Sequence, residues 1–298
     1  MTIVTIIAPG SMGSAVGRRL VQAGVEVRTV LDGRSRASID RAKAAGMSAV
    51  SPAAAGQSDF ILSIVPPDQA KAVAEALAPG IATAKHKAVY ADCTAVNPAT
   101  VGEIAAIIAA TEAPFVDAAI IGGPPSDGAA GPVFYASGDH AARLTELGRH
   151  GLTVRTLDAP VGAASALKMS YAGITKGLVA LAAAMSLAAA RAGVADALRA
   201  EIAASQAALR SRFQRSIPDM FGKARRWVPE LDEIGGFVGD DFVESQIFHA
   251  VANFYQRIAD GIDHQSAEMT GLLTFWNEEL GFRDLGLGFR DLVLGIGG

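Results

Sequence analysis

Residues 3–13 read Ile-Val-Thr-Ile-Ile-Ala-Pro-Gly-Ser-Met-Gly, a β-branched run that ends in a glycine-containing turn. The run from Ile3 to Ile7 predicts a buried strand, and the apolar periodicity from Met12 to Ala23 predicts a helix directly after the turn. A strand, a glycine turn and a helix in this order can bind the pyrophosphate of a dinucleotide, because the helix N-terminus offers N–H groups and a positive dipole. Alanine replaces the first glycine of the G-x-G-x-x-G pattern, so Gly10 and Gly13 carry the fingerprint.

The alternation of short β-branched runs and helical periods continues to about residue 158. Such alternation is typical of a doubly wound, mostly parallel sheet with crossover helices. The further strands are predicted at Val25 to Val30, Phe60 to Val65, Ala88 to Asp92 and Phe115 to Ile120, and the further helices at Ser38 to Ala45, Gln69 to Leu77 and Pro98 to Ala109.

The composition changes near residue 160. Residues Pro160 to Arg191 are rich in Ala, Leu and Met and predict one long helix, whereas Val194 to Gly298 shows helical periods with little strand pattern. At about 1.5 Å per residue the long helix exceeds the width of a small domain, so it is expected to join two domains or two subunits. The prediction is a Rossmann-like α/β domain over residues 1–159 and an all-helical substrate and dimerisation domain over residues 160–298.

Composition narrows the class of partner. The chain has 26 Lys and Arg against 30 Asp and Glu, a net charge of −4, so it has no general basic field for nucleic acid or an anionic membrane. A small-molecule substrate is therefore expected. The single cysteine, Cys93, excludes an internal disulfide and fits a reducing, cytoplasmic compartment, and no Cys/His spacing indicates a metal site. The longest apolar stretch, Gly177 to Ala190, is predicted to be too short for a membrane span.

The end of the second strand indicates which dinucleotide is bound. Asp32 lies where an acidic residue would accept the ribose hydroxyls of NAD, so NAD stays possible. The residues that follow, Arg34, Ser35 and Arg36, offer guanidinium and hydroxyl donors where a 2′-phosphate would lie. NADP is therefore the preferred prediction, and a solvated charged turn is the alternative interpretation.

Four further motifs follow the glycine turn in order: Ser63-Ile64-Val65-Pro66-Pro67, Asp92-Cys93-Thr94-Ala95-Val96-Asn97-Pro98, Asp117 to Gly123, and Gly162 to Lys168. With this ordered set, the chain resembles the β-hydroxyacid dehydrogenase family, which includes 3-hydroxyisobutyrate and 6-phosphogluconate dehydrogenases. The resemblance covers residues 3 to 185, and the stretch from Lys168 to Gly177 looks like a less characterised phosphogluconate-dehydrogenase-like branch with a distinct C-terminal domain.

The resemblance implies roles for individual residues. The Gly122-Gly123 pair would hold a substrate carboxylate through backbone N–H groups, and Lys168 would be the general acid/base. Oxidation of a secondary alcohol removes the hydroxyl proton as hydride leaves, and a lysine whose pKa is lowered by burial can accept that proton. The cofactor-binding residues would be Pro9, Gly10, Ser11, Met12, Gly13, Arg34, Ser35, Arg36, Val65, Pro66, Pro67 and Thr94.

The chain departs from the family pattern at two positions. Ile121 stands where the family has serine before the Gly-Gly pair, and Ala172 stands where it has asparagine four residues after the lysine. On a helix, Tyr171 lies about 60° and Thr175 about 20° from Lys168, so either is a candidate replacement partner for substrate or lysine. Thr94 is assigned a catalytic and cofactor contact, with closure of a turn as the equal alternative.

Lys176 follows Lys168 by eight residues and has two interpretations, a surface charge or a second cation for the substrate.

The sequence thus predicts a homodimeric, NADP-dependent oxidoreductase of a small hydroxy or keto acid. An imine reductase on the same scaffold is the alternative, although imine reductases usually carry Asp or Tyr in place of the lysine. A dinucleotide-binding sensor without turnover is the alternative from another class.

Overall fold

The computed structural model describes residues 2–125, 131–264 and 266–276. The chain divides into two compact units, Met1–Ser170 and Tyr171–Gly298. The domain boundary predicted at residue 159 stays a prediction, and the helical character predicted for residues 277–298 lies outside the described residues.

The first unit is built on one eight-stranded sheet with the order β3-β2-β1-β4-β5-β6-β7-β8. Strands β1 to β6 run parallel to one another, β7 is antiparallel to β6, and β8 is parallel to β7. Chain order reverses between β1 and β4, and ligands of such sheets bind beyond the carboxyl ends of the strands at this switch point. The strands are β1 (Ile3–Ile7), β2 (Glu26–Thr29), β3 (Ser48–Ala49), β4 (Phe60–Ser63), β5 (Val89–Asp92), β6 (Phe115–Ile121), β7 (Val133–Ser137) and β8 (Thr153–Thr156).

Helices cover both faces of this sheet, because successive side chains of each strand point to opposite sides. Phe60 and Leu62 belong to a core that includes Val16 and Leu20 of the first helix. Ile61, between them, belongs to a second core with side chains of the fourth and fifth helices. The helices are α1 (Ser11–Gln22), α2 (Arg36–Ala44), α3 (Pro52–Ala55), α4 (Ala70–Thr83), α5 (Pro98–Ala109) and α6 (Ala141–Leu144), with 3-10 turns at Pro67–Gln69 and Thr145–His150.

These observations confirm the predicted doubly wound, mostly parallel sheet. The predicted β1 and α5 have the observed bounds, and Asn97 caps α5 by accepting the Thr100 N–H at 3.0 Å. Three strands were not predicted. β3 has only two residues, and β8 reads Thr-Val-Arg-Thr with mostly exposed side chains, so neither has an apolar pattern. β7 follows a Gly- and Pro-rich stretch that obscures where pairing begins.

The long helix α7 spans Ala163–Arg191 and passes from the first unit into the second. It begins three residues later than predicted, because Gly162 has a φ of +102° and so is not helical. Among the described residues α7 is the helix long and apolar enough to cross a membrane, with a mean hydropathy of 1.6 in its most apolar window. The apolar stretch predicted from the sequence, Gly177 to Ala190, is shorter than this helix. Half of that window is buried inside the protein.

The second unit, from Tyr171 onward, contains helices and no strand over its described residues. This confirms the predicted helical C-terminal region. Aromatic side chains join the helices: the Trp227 and Tyr255 rings lie 5.2 Å apart, and the Trp276 indole N–H donates to Ser186 Oγ at 3.1 Å. Besides the C-terminal part of α7, the helices are α8 (Ala195–Ser205), α9 (Ala207–Phe221), α10 (Ala224–Val238), α11 (Ser245–Asp263) and α12 (Ala267–Trp276).

Candidate active site

The turn between β1 and α1 has the geometry that a phosphate needs. A Cβ at Gly13 would lie 2.1 Å from the Ala8 carbonyl oxygen, so only glycine lets the helix approach the strand this closely. A Cβ at Gly10 would meet nothing within 4 Å, which leaves space above the turn. No side chain caps the N-terminus of α1. The first N–H groups of the helix are therefore available to an anion, together with the positive end of its dipole.

The three predicted donors after β2 each have a partner within the protein. Arg34 donates from Nη1 to Gln69 Oε1 at 3.3 Å, and Ser35 caps α2 by accepting the Ser38 N–H. Arg36 pairs with Asp40 and keeps 88% of its side chain exposed. Of the three predicted donors, Arg36 is thus the one whose charge is paired with a carboxylate in solvent.

Arg41 is a residue of this region that the sequence did not single out. Its Nε donates to the Pro9 carbonyl at 3.1 Å and its Nη2 to Ser38 Oγ at 2.9 Å. Arg41 therefore braces the glycine turn against α2. An arginine seven residues beyond Arg34 carries no local signal of this contact.

Two predicted segments lie at the carboxyl ends of β4 and β5. Val65 is buried, Pro66 is exposed, and Pro67 opens the 3-10 turn. Thr94 is 3% exposed, and its hydroxyl donates to Asp92 Oδ1 at 2.8 Å. The Thr94 proton is thus committed within the protein, so its hydroxyl oxygen can only accept from a further group.

Asp92 is a buried carboxyl that the sequence reading did not single out. It is 1% exposed, and burial raises its pKa from 3.8 to about 7, against the opposing donation from Thr94. Asp92 is paired in register with Ser63 of β4. Among the described residues, neither Ser63 Oγ nor Asp92 Oδ2 has a hydrogen-bond partner. The end of β5 therefore holds a carboxyl that takes up a proton near neutral pH.

The Gly122-Gly123 pair follows the end of β6. Gly122 has a φ of +124°, and a Cβ there would lie 3.0 Å from Pro132 Cα, so the position requires glycine. A Cβ at Gly123 would meet nothing within 4 Å. The turn is thus crowded at Gly122 and open at Gly123. The open side leaves room for a ligand to approach the backbone N–H groups.

Lys168 reaches the same strand end from helix α7. Its Nζ donates to the Ile120 carbonyl at 2.6 Å, across 48 residues of sequence, and its side chain is partly buried. Ile120 is two residues before Gly122, so the lysine lies at the base of the glycine turn. An amine here is close to the groups that are predicted to hold the substrate.

Asp117, earlier on β6, holds the start of α7. Its Oδ2 accepts from Ser137 Oγ at 2.9 Å and from the N–H groups of Gly162, Ala164 and Ser165 at 2.9, 3.1 and 3.1 Å. Its Oδ1 accepts from Ser165 Oγ at 2.7 Å. Asp117 is 0% exposed. A carboxylate from a distant strand thus acts as the N-cap of the long helix.

The remaining predicted residues belong to the second unit. Tyr171 is half exposed, and Thr175 Oγ1 donates to the Tyr171 carbonyl of its own helix at 2.8 Å. Lys176 is buried and pairs with Glu230, with its Nζ 5.5 Å from the centre of the Trp227 ring. Lys176 is therefore not a surface charge, and its ammonium is already neutralised by a carboxylate.

The structure therefore brings the glycine turn, Thr94, the Gly122-Gly123 pair and Lys168 to the carboxyl ends of β1, β5 and β6, one end of the sheet in the first unit. Asp92 and Asp117 stand in predicted motifs but were assigned no role of their own, and Arg41 was not singled out. Asp92 and Asp117 each carry one signal, a lone acid in an apolar strand. Over the described ranges no cluster of His, Cys, Asp and Glu could hold a metal ion.

Two domain families match the sequence. The NAD binding domain of 6-phosphogluconate dehydrogenase matches residues 4–149, and a domain of unknown function, DUF1932, matches residues 189–258. The first unit thus carries a binding domain for a nicotinamide dinucleotide. No protein with a curated function matches the chain.

Solved structures share the fold over nearly the whole chain. The conserved protein MTH1747, described as similar in structure to 3-hydroxyacid dehydrogenases, is 26% identical and superposes with a TM-score of 0.67 over 90% of this chain and 100% of its own. The 3-hydroxyisobutyrate dehydrogenase (ygbJ) of Salmonella typhimurium is 21% identical, with a TM-score of 0.63 over 92% and 99%. An imine reductase of Myxococcus stipitatus in complex with NADP+ is 18% identical, with a TM-score of 0.54 over 93% of this chain and 99% of its own.

Proposed function

We propose that the chain is a member of the β-hydroxyacid dehydrogenase family and that it transfers a hydride between NADP and a small hydroxy or keto acid, with Lys168 as the general acid/base. The observation that carries this proposal is the Lys168 Nζ bound at 2.6 Å to the Ile120 carbonyl, beside the Gly122-Gly123 turn. A titratable amine next to two glycines that leave backbone groups accessible is suited to a carboxylate substrate with a reacting hydroxyl.

The residues of the glycine turn fit a dinucleotide. The close approach at Gly13 and the open space at Gly10 leave a cradle at the uncapped start of α1, where Pro9, Ser11 and Met12 complete the turn. Val65, Pro66, Pro67 and Thr94 would border the nicotinamide end, and Arg34 and Ser35 would contact the 2′-phosphate. When bound, the nicotinamide supplies or accepts the hydride.

Proton transfer is assigned to Lys168. In alcohol oxidation its neutral amine accepts the hydroxyl proton at Nζ, and in carbonyl reduction its ammonium donates that proton to the oxygen. The backbone N–H groups of Gly122 and Gly123 orient the carboxylate. Ile121 replaces the family serine, so the substrate is held with one side-chain hydroxyl fewer than in the family pattern. Tyr171 and Thr175 remain candidate substrate contacts.

A second candidate function is reduction of an imine, which the fold shared with an NADP+-bound imine reductase favours. Lys168 favours the carbonyl reaction, because its ammonium supplies a proton to an alkoxide at neutral pH.

A homodimer is proposed from the second unit. Tyr171, Ile174, Leu181 and Met185 are 50%, 65%, 61% and 55% exposed, and their spacing of three, seven and four residues places them on one stripe of α7. An exposed apolar stripe on a helix is suited to packing against a second copy. A cytoplasmic setting is proposed because the chain has a single cysteine, Cys93, and so has no internal disulfide.

The test is a fluorescence titration with NADPH and NADH, followed by turnover with 2-keto acids, 3-keto acids, aldehydes and imines. We expect tighter binding of NADPH and reduction of a keto acid. Arg34→Ala should weaken NADPH binding by about tenfold, the loss of one charged hydrogen bond, while the matched variant Arg36→Ala should change it far less. Turnover of imines alone would replace the proposal by the second candidate, and binding without any turnover would indicate a sensor.

A further inference from the structure

Helix α7 is attached to strand β6 at two points. The Asp117 carboxylate holds the first turn of the helix, and the Ile120 carbonyl accepts from Lys168. The two β6 residues are three apart, and so are Ser165 and Lys168 on the helix. Residues three apart share a helix face, so both attachments join the same face of α7 to the same strand.

The first attachment uses the whole hydrogen-bonding capacity of Asp117. A carboxylate has about four lone-pair sites, and this one accepts five donors, three of them backbone N–H groups at the helix start. A negative charge at this place also complements the positive end of the helix dipole. Ser137 adds to the same hub, because its hydroxyl oxygen accepts the Ala164 N–H at 3.0 Å.

We propose that Asp117 is the positioning residue for Lys168: by capping α7 from strand β6, it sets the height and rotation of the helix and so the place of the lysine Nζ. This inference rests on the proposed function of Lys168. The Lys168 hydrogen bond to Ile120 lies about one helical turn beyond the Asp117 cap. It holds the amine in one place only if the capped first turn of α7 cannot slide or rotate against β6. Misplacement of a catalytic group by about 1 Å can cost on the order of a hundredfold in rate, so a change at Asp117 is expected to act through Lys168.

The test compares the full-length wild type with Asp117→Asn, which keeps the size of the side chain and removes the charge. Asp59→Asn is the matched control, because Asp59 Oδ2 accepts one backbone N–H, that of Ile3, at 2.8 Å in the same sheet. We expect kcat to fall at least tenfold in Asp117→Asn with unchanged NADPH affinity, and to stay unchanged in Asp59→Asn. Ser137→Ala leaves the charge and should give a smaller loss of the same kind.

A labelling experiment reads the lysine without turnover. Competitive acetylation by acetic anhydride, followed by mass spectrometry, gives the reactivity of Lys168 relative to Lys87, whose Nζ also donates to backbone carbonyls, those of Ile81 and Ala82. We expect Lys168 alone to become several-fold more reactive in Asp117→Asn. General loosening of the unit would raise both lysines together. An unchanged ratio of Lys168 to Lys87 would overturn the proposal.

The double variant separates this proposal from the one it rests on. If Asp117 acts through Lys168, Asp117→Asn causes no further loss of turnover in a Lys168→Ala background. A further loss in that background contradicts the positioning role. If Lys168→Ala itself turns over like the wild type, the proposed function fails, and the labelling ratio still decides whether Asp117 positions the amine.

Discussion

Lys168 in the first unit and Lys176 in the second lie on the same helix, and the contacts that the structure describes for them differ in kind. Lys168 donates to a neutral backbone carbonyl at the end of β6. Lys176 is buried against the Glu230 carboxylate and the Trp227 ring. Burial lowers the pKa of Lys176, and the charge of Glu230 opposes that shift. The sequence predicts Lys168 as the acid/base and leaves Lys176 as either a surface charge or a second cation for the substrate.

The difference concerns what happens when each amine loses its proton. A carbonyl accepts a hydrogen bond from either the ammonium or the neutral amine, so Lys168 can exchange its proton without leaving that carbonyl unsatisfied. Loss of the proton from Lys176 would leave the buried Glu230 carboxylate without its nearer counter-charge, which is costly. Lys168 is therefore suited to proton transfer and Lys176 to holding helices α7 and α10 together.

The largest expected effect is on turnover. Lys168→Ala should lower kcat by about 10²- to 10⁴-fold, the range for loss of a general acid/base, with the NADPH dissociation constant unchanged. The matched change in the second unit, Lys176→Met with Glu230→Leu, should leave kcat within a few-fold of the wild type. Steady-state kinetics with a fluorescence titration of the cofactor checks both. A large loss of kcat in the Lys176→Met and Glu230→Leu double variant, with none in Lys168→Ala, would reverse the roles assigned to the two lysines.

The next effect is on stability. Lys176→Met leaves Glu230 buried without its main cation and should lower the free energy of unfolding by about 3 kcal/mol, while the double variant with Glu230→Leu should regain most of it. Both tryptophans, Trp227 and Trp276, lie in the second unit, so denaturant unfolding followed by tryptophan fluorescence reports this unit. If the single variant is as stable as the wild type, the pair does not hold the helices.

A pH-dependent effect is expected at Asp92 in the first unit. Its pKa is raised from 3.8 to about 7, so the folded state keeps a proton that the unfolded chain releases between these values. The Asp92 proton should therefore make the free energy of unfolding of the wild type fall by up to about 1.4 kcal/mol per pH unit from pH 4 to 7. Above pH 7 this contribution should no longer change with pH. Asp92→Asn removes the titrating group. The free energy of unfolding of this variant should therefore rise relative to that of the wild type from pH 5 to pH 8.

Denaturant unfolding followed by circular dichroism measures this difference. Ser63→Ala is the control, because it changes the neighbouring buried side chain without a titrating group. A difference between Asp92→Asn and wild type that stays constant with pH would show that Asp92 does not hold a proton in the folded state.

Local sequence patterns account for most of the first unit. The β-branched run before Gly10, the cap at Asn97 and the Ala-rich segment of α7 each give an element near its observed place. Strands β3 and β8 were not predicted because neither has an alternation of apolar and polar residues. Their pairing depends on the neighbouring strands of the sheet.

The candidate site divides in the same way. The glycine turn and Lys168 follow from motifs, since each motif is contiguous. The role of Asp117 does not, because its donors lie 20 to 48 residues away and meet it only through strand register and the start of α7. The partner of Lys176, 54 residues away on another helix, is hidden for the same reason.

The most direct test of the central claim is chemical rescue of Lys168→Ala by a small primary amine. If Lys168 serves as the acid/base, methylamine should restore part of the NADPH-dependent turnover in proportion to its concentration, and the restored rate should follow the protonation of the added amine. The Lys176→Met and Glu230→Leu double variant should show no such dependence. Full wild-type turnover by Lys168→Ala without any added amine would contradict the claim.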